Sequence, residues 1–241
     1  MGLPEQVRAL IFDFGGTLDV PGRHWAHVIS EAYAACGVNV APTVFRDAYI
    51  YGERALALPG AVWSGCTFDE LMHTKIRLEM RYLVGEGAVD AAQAVRCAGD
   101  VAEYCLARAR EGVSATLPVV EKLSCHFRMG VASNFYGNLP VVLRGFGLGR
   151  FFDAVADSAA LGVRKPDPEI FLATARMLGV DPEHTAVIGD SIVNDIRPAV
   201  RTGFHAVLVS PSAEPGVGIS EGCEIVRNLW ELIDTKFRLF N

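Results

Sequence analysis

Carboxylates follow two apolar runs of the sequence, at positions where they could hold a metal ion. Asp13 comes directly after the run ALIF, and Asp190 and Asp195 belong to GDSIVND, which follows the run TAVI. Mg2+ prefers oxygen ligands, which aspartate side chains supply. A carboxylate can also attack phosphorus as a nucleophile. These residue types together predict a metal-assisted transfer of a phosphoryl group.

A hydroxyl, an amide and a lysine occupy comparable positions in the chain. Ser133 and Asn134 follow the apolar run MGVA, and Lys165 opens KPDP. An ammonium group and a hydroxyl donate hydrogen bonds to phosphate oxygens. Gly15 and Gly16 follow the first carboxylate, and glycine lets backbone N–H groups approach an anion closely. The sequence therefore predicts a phosphate site next to the metal ligands.

The elements that must position these groups alternate between strands and helices. Strands are predicted at 8–13, 129–134, 151–158, 184–191 and 205–210, and at the start of EIVRNLWELIDTKF. Helical patterns separate them from residue 118 onward, at 118–126, 138–146, 168–178 and 193–201. Residues 24–111 show helical patterns alone, at 24–36, 43–57, 67–84 and 90–111, and 210–222 is predicted to be a loop. The alternation predicts a mostly parallel sheet, and such sheets bind ligands at the carboxyl ends of their strands.

The composition is that of a globular protein with a large core. The chain has 241 residues, 51% of them hydrophobic, and a net charge of −6. This acidic balance argues against nucleic acid and anionic membranes as partners, and no run of about 20 apolar residues predicts a membrane span. The six cysteines are scattered without metal-site spacing, which favours reduced thiols. With no secretion signal at the N-terminus, we expect a cytoplasmic protein, monomeric or homodimeric.

The ordered motifs of this chain resemble those of the haloacid dehalogenase (HAD) superfamily. DFGGT, the strand end at Ser133, KPDP and GDSIVND stand in the family's order. The resemblance implies an α/β fold with a Rossmann-like HAD core at residues 1–20 and 115–241. It implies an inserted all-helical C1 cap at residues 21–114, where strand signals are missing.

The resemblance also implies roles for individual residues. Asp13 would be the nucleophile that forms an aspartyl-phosphate, and Lys165 would neutralise charge between Asp13 and the phosphate. Ser133 would donate a hydrogen bond to the transferred phosphoryl group. Asp190 would bind Mg2+, with Asp195 as a further ligand or as its neighbour. The remaining expected contacts are the carbonyl oxygen of Gly15 with the metal, and Gly16, Thr17 and Asn134 with the phosphate of a small metabolite.

Gly15 is the point where this chain departs from the phosphatases of the family. They carry an aspartate there, which protonates the leaving oxygen and then activates water. General acid–base help of this kind is typically worth about a hundred- to ten-thousand-fold in rate. Asp19 follows the nucleophile by six residues and is the first candidate for a substitute acid, ahead of His24 and His27.

Two other functions stay open at this point. Family phosphonatases have an alanine at position 15 and use a cap lysine that forms an imine, and Lys75 is the only lysine before residue 122. Its spacing to Glu79 favours a solvated ion pair on a helix over such a role. Family dehalogenases have a bulky aromatic residue at position 15 and need no Mg2+, which disagrees with this chain. A non-catalytic phosphate-binding protein is the third interpretation, although buried like charges are costly without a cation.

The predicted cap is rich in alanine and aromatic residues, most of which are expected to pack between helices. The glycine-containing segment LPGAVWSGCT, residues 58–67, could instead face the substrate. Trp63, Ser64 and Arg54 are the candidate contacts from this region. None of them identifies the substrate.

Overall fold

A parallel sheet forms the centre of the computed structural model. The structure describes residue 4, residues 6–212 and residues 223–237, and it describes side chains as far as residue 233. Within these residues the six strands of this sheet are β1 (Ala9–Phe12), β2 (Arg128–Ser133), β3 (Ala154–Asp157), β4 (Thr185–Gly189), β5 (His205–Val209) and β6 (Cys223–Val226). Their order is β3-β2-β1-β4-β5-β6, with every neighbouring pair parallel. The predicted α/β fold with a parallel sheet is therefore confirmed.

The register of the three central strands brings their carboxyl ends to one level. Phe12 pairs with Val131 of β2 on one side and with Ile188 of β4 on the other. Residues that follow these strands therefore emerge at the same edge of the sheet, where the predicted site residues lie.

Four helices lie between β1 and β2 and form the helical insert. They are α1 (Trp25–Ala35), α2 (Pro42–Leu56), α3 (Phe68–Gly85) and α4 (Ala91–Ser124). Thr67 caps α3, because its hydroxyl accepts from the N–H of Glu70 while the Glu70 carboxylate accepts from the N–H of Thr67. The division of the chain into a core (residues 1–20 and 115–241) and a cap (residues 21–114) stays a prediction.

The prediction of two helices at 90–111 and 118–126 is wrong, because α4 runs unbroken through both segments. Pro118 lies inside the helix, where it removes one backbone hydrogen bond. Val119, Val120 and Leu123 behind it are buried in the core, and this packing favours the helix beyond the proline. The predicted domain boundary between residues 114 and 115 therefore lies within a helix.

The remaining helices lie between the later strands or, in the case of α9, follow the last of them. They are α5 (Leu139–Gly145), α6 (Ser158–Leu161), α7 (Glu169–Leu178), α8 (Arg197–Arg201) and α9 (Trp230–Phe237). Residues 192–196 form a wide π-type turn that leads into α8. The predicted loop 210–222 lies outside the described residues except for 210–212. In the described part of the chain, no helix is long and apolar enough to cross a membrane.

The sheet is covered on both faces, since alternate residues of each strand point to opposite sides. Leu10 and Phe12 belong to a large apolar cluster that continues into the insert. Ala9 and Ile11 belong to a second cluster, together with Phe171 of α7. Burial on both faces holds the strand ends, and the side chains that follow them, in fixed positions.

Candidate active site

Lys165 joins two carboxylates at the carboxyl edge of the sheet. Its Nζ donates to Oδ1 of Asp13 at 2.7 Å and to Oδ1 of Asp195 at 2.6 Å. All three side chains are almost fully buried. Burial lowers the pKa of Lys165, but the charges of Asp13 and Asp195 outweigh this effect and raise it overall. The lysine is therefore a fixed cation between the two acids.

Asp190 completes a cluster of three carboxylates with Asp13 and Asp195. One oxygen of each lies within 4.8 Å of the others. Burial, together with the charges of Asp13 and Asp195, raises the pKa of Asp190 to about 8. Burial also raises the pKa of Asp195 to about 6, against the opposing effect of Lys165.

The donor set of this cluster fits a hard divalent cation. When all three carboxylates are ionised, the one ammonium group leaves an excess of negative charge in a buried place, where uncompensated charge is costly. Mg2+ takes oxygen ligands, and the three oxygens are close enough to share one ion. Asp13, Asp190 and Asp195 would hold it.

Ser133 and Asn134 act at the same edge in different ways. The hydroxyl of Ser133 donates to Oδ1 of Asp13 at 3.0 Å, so it lies beside the predicted nucleophile. Asn134 instead pairs with the backbone of Lys165: its Nδ2 donates to the carbonyl oxygen at 3.1 Å, and its Oδ1 accepts from the N–H at 2.9 Å. Asn134 therefore positions the lysine, and both ends of its amide are engaged.

The glycine turn after β1 differs in part from the expectation. Gly15 lines the site cavity, but Gly16 and Thr17 are not among the residues that line it. The N–H of Gly16 donates to Oδ1 of Asp19 at 2.7 Å, and Thr17 is fully buried. Gly16 has a φ of 90°, and a Cβ there would lie 2.5 Å from a carboxylate oxygen of Asp190. These contacts give Gly16 and Thr17 places in the turn, and their contact with a phosphate stays a prediction.

Asp19 is fully buried, and three donors surround its carboxylate. Its Oδ1 accepts from the N–H groups of Gly16 and Val20, both at 2.7 Å. Its Oδ2 accepts from Nε1 of Trp25 at 2.8 Å. Burial raises the pKa of Asp19 to about 7 against the lowering effect of these donors. These contacts favour a role in holding the turn and Trp25, while its predicted acid–base role stays a prediction.

The space beside Gly15 is partly filled by the Trp25 indole. A Cβ on Gly15 would lie 3.5 Å from Cδ1 and 3.7 Å from Nε1 of Trp25, which is ordinary contact. Among the described residues beyond its chain neighbours, Trp25 alone comes within 4 Å of this Cβ position, and its Nε1 is the group that donates to Asp19.

A cavity of about 440 Å³ lies over the carboxylate cluster, between two walls. The core wall carries the site residues at the ends of the strands. The insert wall carries side chains of α1, α2 and α3 and the loop before them. Its members are His24, Trp25, Tyr49, Glu53, Phe68, Leu71, Met72 and Lys75.

Lys75 lies on the insert wall and is buried, so the expectation of a solvated partner of Glu79 is wrong. Its Nζ forms an ion pair with Oε1 of Glu53 and lies 4.3 Å from the ring centroid of Tyr49. Glu53 also accepts from the hydroxyl of Tyr136 at 2.7 Å, which links α2 to the loop after β2. Tyr49 and Glu53 are four residues apart and share one face of α2.

Glu79 is fully buried behind this wall. Its Oε2 accepts from the hydroxyl of Tyr33 at 3.0 Å, and its Oε1 has no hydrogen-bond partner among the described residues. Burial raises the pKa of Glu79 to about 7, while Lys75 and the Tyr33 hydroxyl lower it.

The variant Glu79→Gln is expected to change how stability depends on pH. Because the folded pKa of Glu79 is about 7 against an ordinary value of 4.5, its contribution is present below pH 4.5 and is lost as the pH rises through 7. The free energy of unfolding of the variant, relative to the parent protein, should therefore rise by roughly 2 kcal/mol between pH 5 and pH 8. Urea denaturation at both pH values measures this. The exposed Glu86→Gln is the matched control, and a difference for Glu79→Gln that stays constant with pH would contradict the argument.

The candidate substrate contacts Arg54, Trp63 and Ser64 do not line the cavity. Trp63 is 64% exposed, and Ser64 and Arg54 are exposed as well. His24 lines it, but its Nδ1 caps α1 by accepting from the N–H of Ala26. His27 is exposed and does not line the cavity. Tyr49 and Glu53 line the cavity but were not predicted from the sequence. Their only signal there was a spacing of four residues, which places them on one face of a helix.

Comparisons with known proteins agree with the geometry. A family profile described as "Hydrolase: haloacid dehalogenase-like hydrolase" matches residues 7–203. The human "Haloacid dehalogenase-like hydrolase domain-containing protein 3" is 30% identical over 215 residues, which cover 85% of this chain and 82% of that protein. "Glyceraldehyde 3-phosphate phosphatase" of Methanopyrus kandleri is 44% identical over 63 residues, 26% of this chain and 27% of that protein.

Solved structures share the fold. The putative HAD-hydrolase YfnB from Bacillus subtilis, solved bound to magnesium, is 20% identical and covers 95% of this chain and 98% of its own, with a TM-score of 0.57. At this identity the likeness supports the fold and not a particular reaction.

Proposed function

Because the chain belongs to the haloacid dehalogenase-like hydrolase family, we propose that it is a Mg2+-dependent phosphatase that acts on a small phosphorylated metabolite through an aspartyl-phosphate at Asp13. The observation that carries the proposal is the double contact of Lys165 with Asp13 and Asp195 beside Asp190. The phosphatase name of the similar protein from Methanopyrus kandleri supports the reaction class.

The contacts of Asp13 suggest how it attacks. Ser133 and Lys165 both donate to Oδ1, which leaves Oδ2 free of these donors to turn toward phosphorus. Lys165 offsets the negative charge that builds up between the carboxylate and the phosphoryl oxygens. Bound Mg2+ would neutralise further charge on those oxygens. Water then cleaves the acyl phosphate and restores Asp13.

The missing carboxylate at position 15 shapes the expected preference for substrates. Alkoxide leaving groups need a proton, whereas acyl and nitroaryl phosphates leave as weak bases. A site without the usual acid should therefore show the largest loss of rate on phosphates with alkoxide leaving groups. Acetyl phosphate and p-nitrophenyl phosphate are therefore the most sensitive probes of the basic reaction.

The purified protein is expected to hydrolyse acetyl phosphate in the presence of Mg2+. The three carboxylates repel an anionic substrate unless a cation offsets their charge. Chelation by EDTA should therefore lower the rate at least about tenfold. Phosphate release measures this, with buffer that contains Mg2+ alone as the blank. A rate no higher than the blank would reject the phosphatase and leave a phosphate-binding protein.

C–P bond hydrolysis is a second candidate, which the place of Lys75 on the cavity wall favours. Burial lowers the pKa of Lys75 to about 8, so part of it is the neutral amine that an imine requires. Borohydride reduction in the presence of phosphonoacetaldehyde should then attach the substrate to Lys75, as measured by peptide mass. Absence of the adduct would exclude this candidate.

A further inference from the structure

Gly15 has no side chain that could protonate the leaving oxygen, and the titratable groups nearest the turn are engaged in other contacts. Asp19 is fully buried, and its two oxygens accept from three N–H donors. His24 uses Nδ1 to cap α1. Both residues line the cavity, but Asp19 already accepts hydrogen bonds through both oxygens, and His24 has one ring nitrogen engaged in the cap.

Lys75 is the lysine of the insert wall. It is 5% exposed, yet it lines the cavity that lies over Asp13. Its ammonium group forms an ion pair with the carboxylate of Glu53 and lies over the ring of Tyr49. Glu53 is itself fixed by the Tyr136 hydroxyl. These contacts hold the Lys75 ammonium at the wall of a cavity that the carboxylate cluster also lines.

The direction of attack brings the leaving oxygen toward that wall. The phosphoryl group must contact Asp13, Ser133 and Lys165, which all belong to the core wall. In-line displacement places the leaving oxygen on the side of phosphorus away from the nucleophile. The rest of the substrate then occupies the part of the cavity bounded by α2 and α3.

We infer that Lys75 is the general acid and base of the proposed phosphatase, in place of the absent carboxylate at position 15. In the first step an oxygen of Asp13 bonds to phosphorus, the bond to the leaving oxygen breaks, and the Lys75 ammonium gives that oxygen its proton. In the second step the neutral Lys75 amine takes a proton from the water that attacks phosphorus, and Asp13 is released. The inference rests on the proposed function and deepens it.

The surroundings of Lys75 suit proton transfer near neutral pH. It is faced by Tyr49 and Glu53 of α2, by Glu79 of its own helix, by Cys105 of α4 and by His24 before α1. Burial lowers its pKa to about 8, and Glu79 opposes this effect. An acid with a pKa near the working pH transfers protons most effectively in both directions.

Leaving groups of matched size test the inference. Benzyl phosphate and p-nitrophenyl phosphate both carry one aromatic ring, but only the benzyl alkoxide needs a proton. Lys75→Met is expected to lower kcat for benzyl phosphate at least about a hundredfold, and kcat for p-nitrophenyl phosphate less than about fivefold. Lys75→Arg keeps the positive charge but does not release its proton, so the same selective loss is expected.

The ratio of the two rates within one preparation does not depend on how much of the variant is folded. Arg77→Met is the matched control, because Arg77 is exposed on the same helix and its removal also takes away one cation. Its ratio should equal that of the parent protein. Equal loss on both substrates, or no loss, in Lys75→Met would overturn the role of Lys75. Absence of turnover of p-nitrophenyl phosphate by the parent protein would instead reject the phosphatase itself.

Discussion

Asp13→Asn is expected to abolish the Mg2+-dependent hydrolysis of p-nitrophenyl phosphate, with a loss of about a thousandfold or more. An amide oxygen cannot form the acyl phosphate, while the hydroxyl of Ser133 and the ammonium of Lys165 can still donate to it. The fold should therefore persist. Removal of one of three close negative charges should leave the Tm in metal-free buffer unchanged or higher.

Asp153→Asn is the matched control for this variant. Asp153 is exposed just before β3 and contacts only the exposed Arg128 among the ion pairs of the described residues. The same chemical change there should leave the rate intact. If Asp13→Asn retained more than about a tenth of the parent rate, the carboxylate would not be the nucleophile.

Lys165→Met is expected to lower the free energy of unfolding by about 3 to 5 kcal/mol in metal-free buffer. The ammonium group is the partner of both Asp13 and Asp195, at 2.7 and 2.6 Å, and its removal leaves these acids and Asp190 without a buried cation. Hydrolysis should be lost as well. Urea denaturation with and without Mg2+ measures the effect, and Mg2+ should restore part of the stability because it offsets the same charges.

The control for Lys165→Met is Lys122→Met. Lys122 is exposed on α4, where its Nζ lies 5.0 Å from the ring centroid of Trp230. Its loss should cost less than about 1 kcal/mol. A similarly small cost for Lys165→Met would contradict the argument that its ammonium group stabilises the buried carboxylates.

The strands and the core side of the site were predictable from the sequence. Apolar runs of strand length ended in polar residues, and parallel strands bring such ends to one edge. Asp13, Lys165, Asp190 and Asp195 do lie together there. Ser133 joins them because β2 is the direct neighbour of β1.

The insert side of the site was not predictable, because local spacing does not reveal what a helix packs against. Lys75 and Glu79 had the spacing of a solvated pair, yet both are buried between helices. Pro118 was predicted to begin a new helix, but the residues behind it pack into the core and α4 continues through it. Asp19 looked available from its position in the chain, and its three donors became visible only in the folded turn.

The unbroken course of α4 limits how chimeras with related proteins can be built. If the insert were exchanged with a junction between residues 114 and 115, the first part of α4 would come from the donor protein and the rest from this one. Gly112 in that helix packs against the chain leaving the first strand, where a Cβ would come within 1.8 Å of the carbonyl oxygen of Asp19. A donor helix with any larger residue at that position would push the two segments apart. The transferable unit therefore has to extend through residue 124 and to keep this glycine.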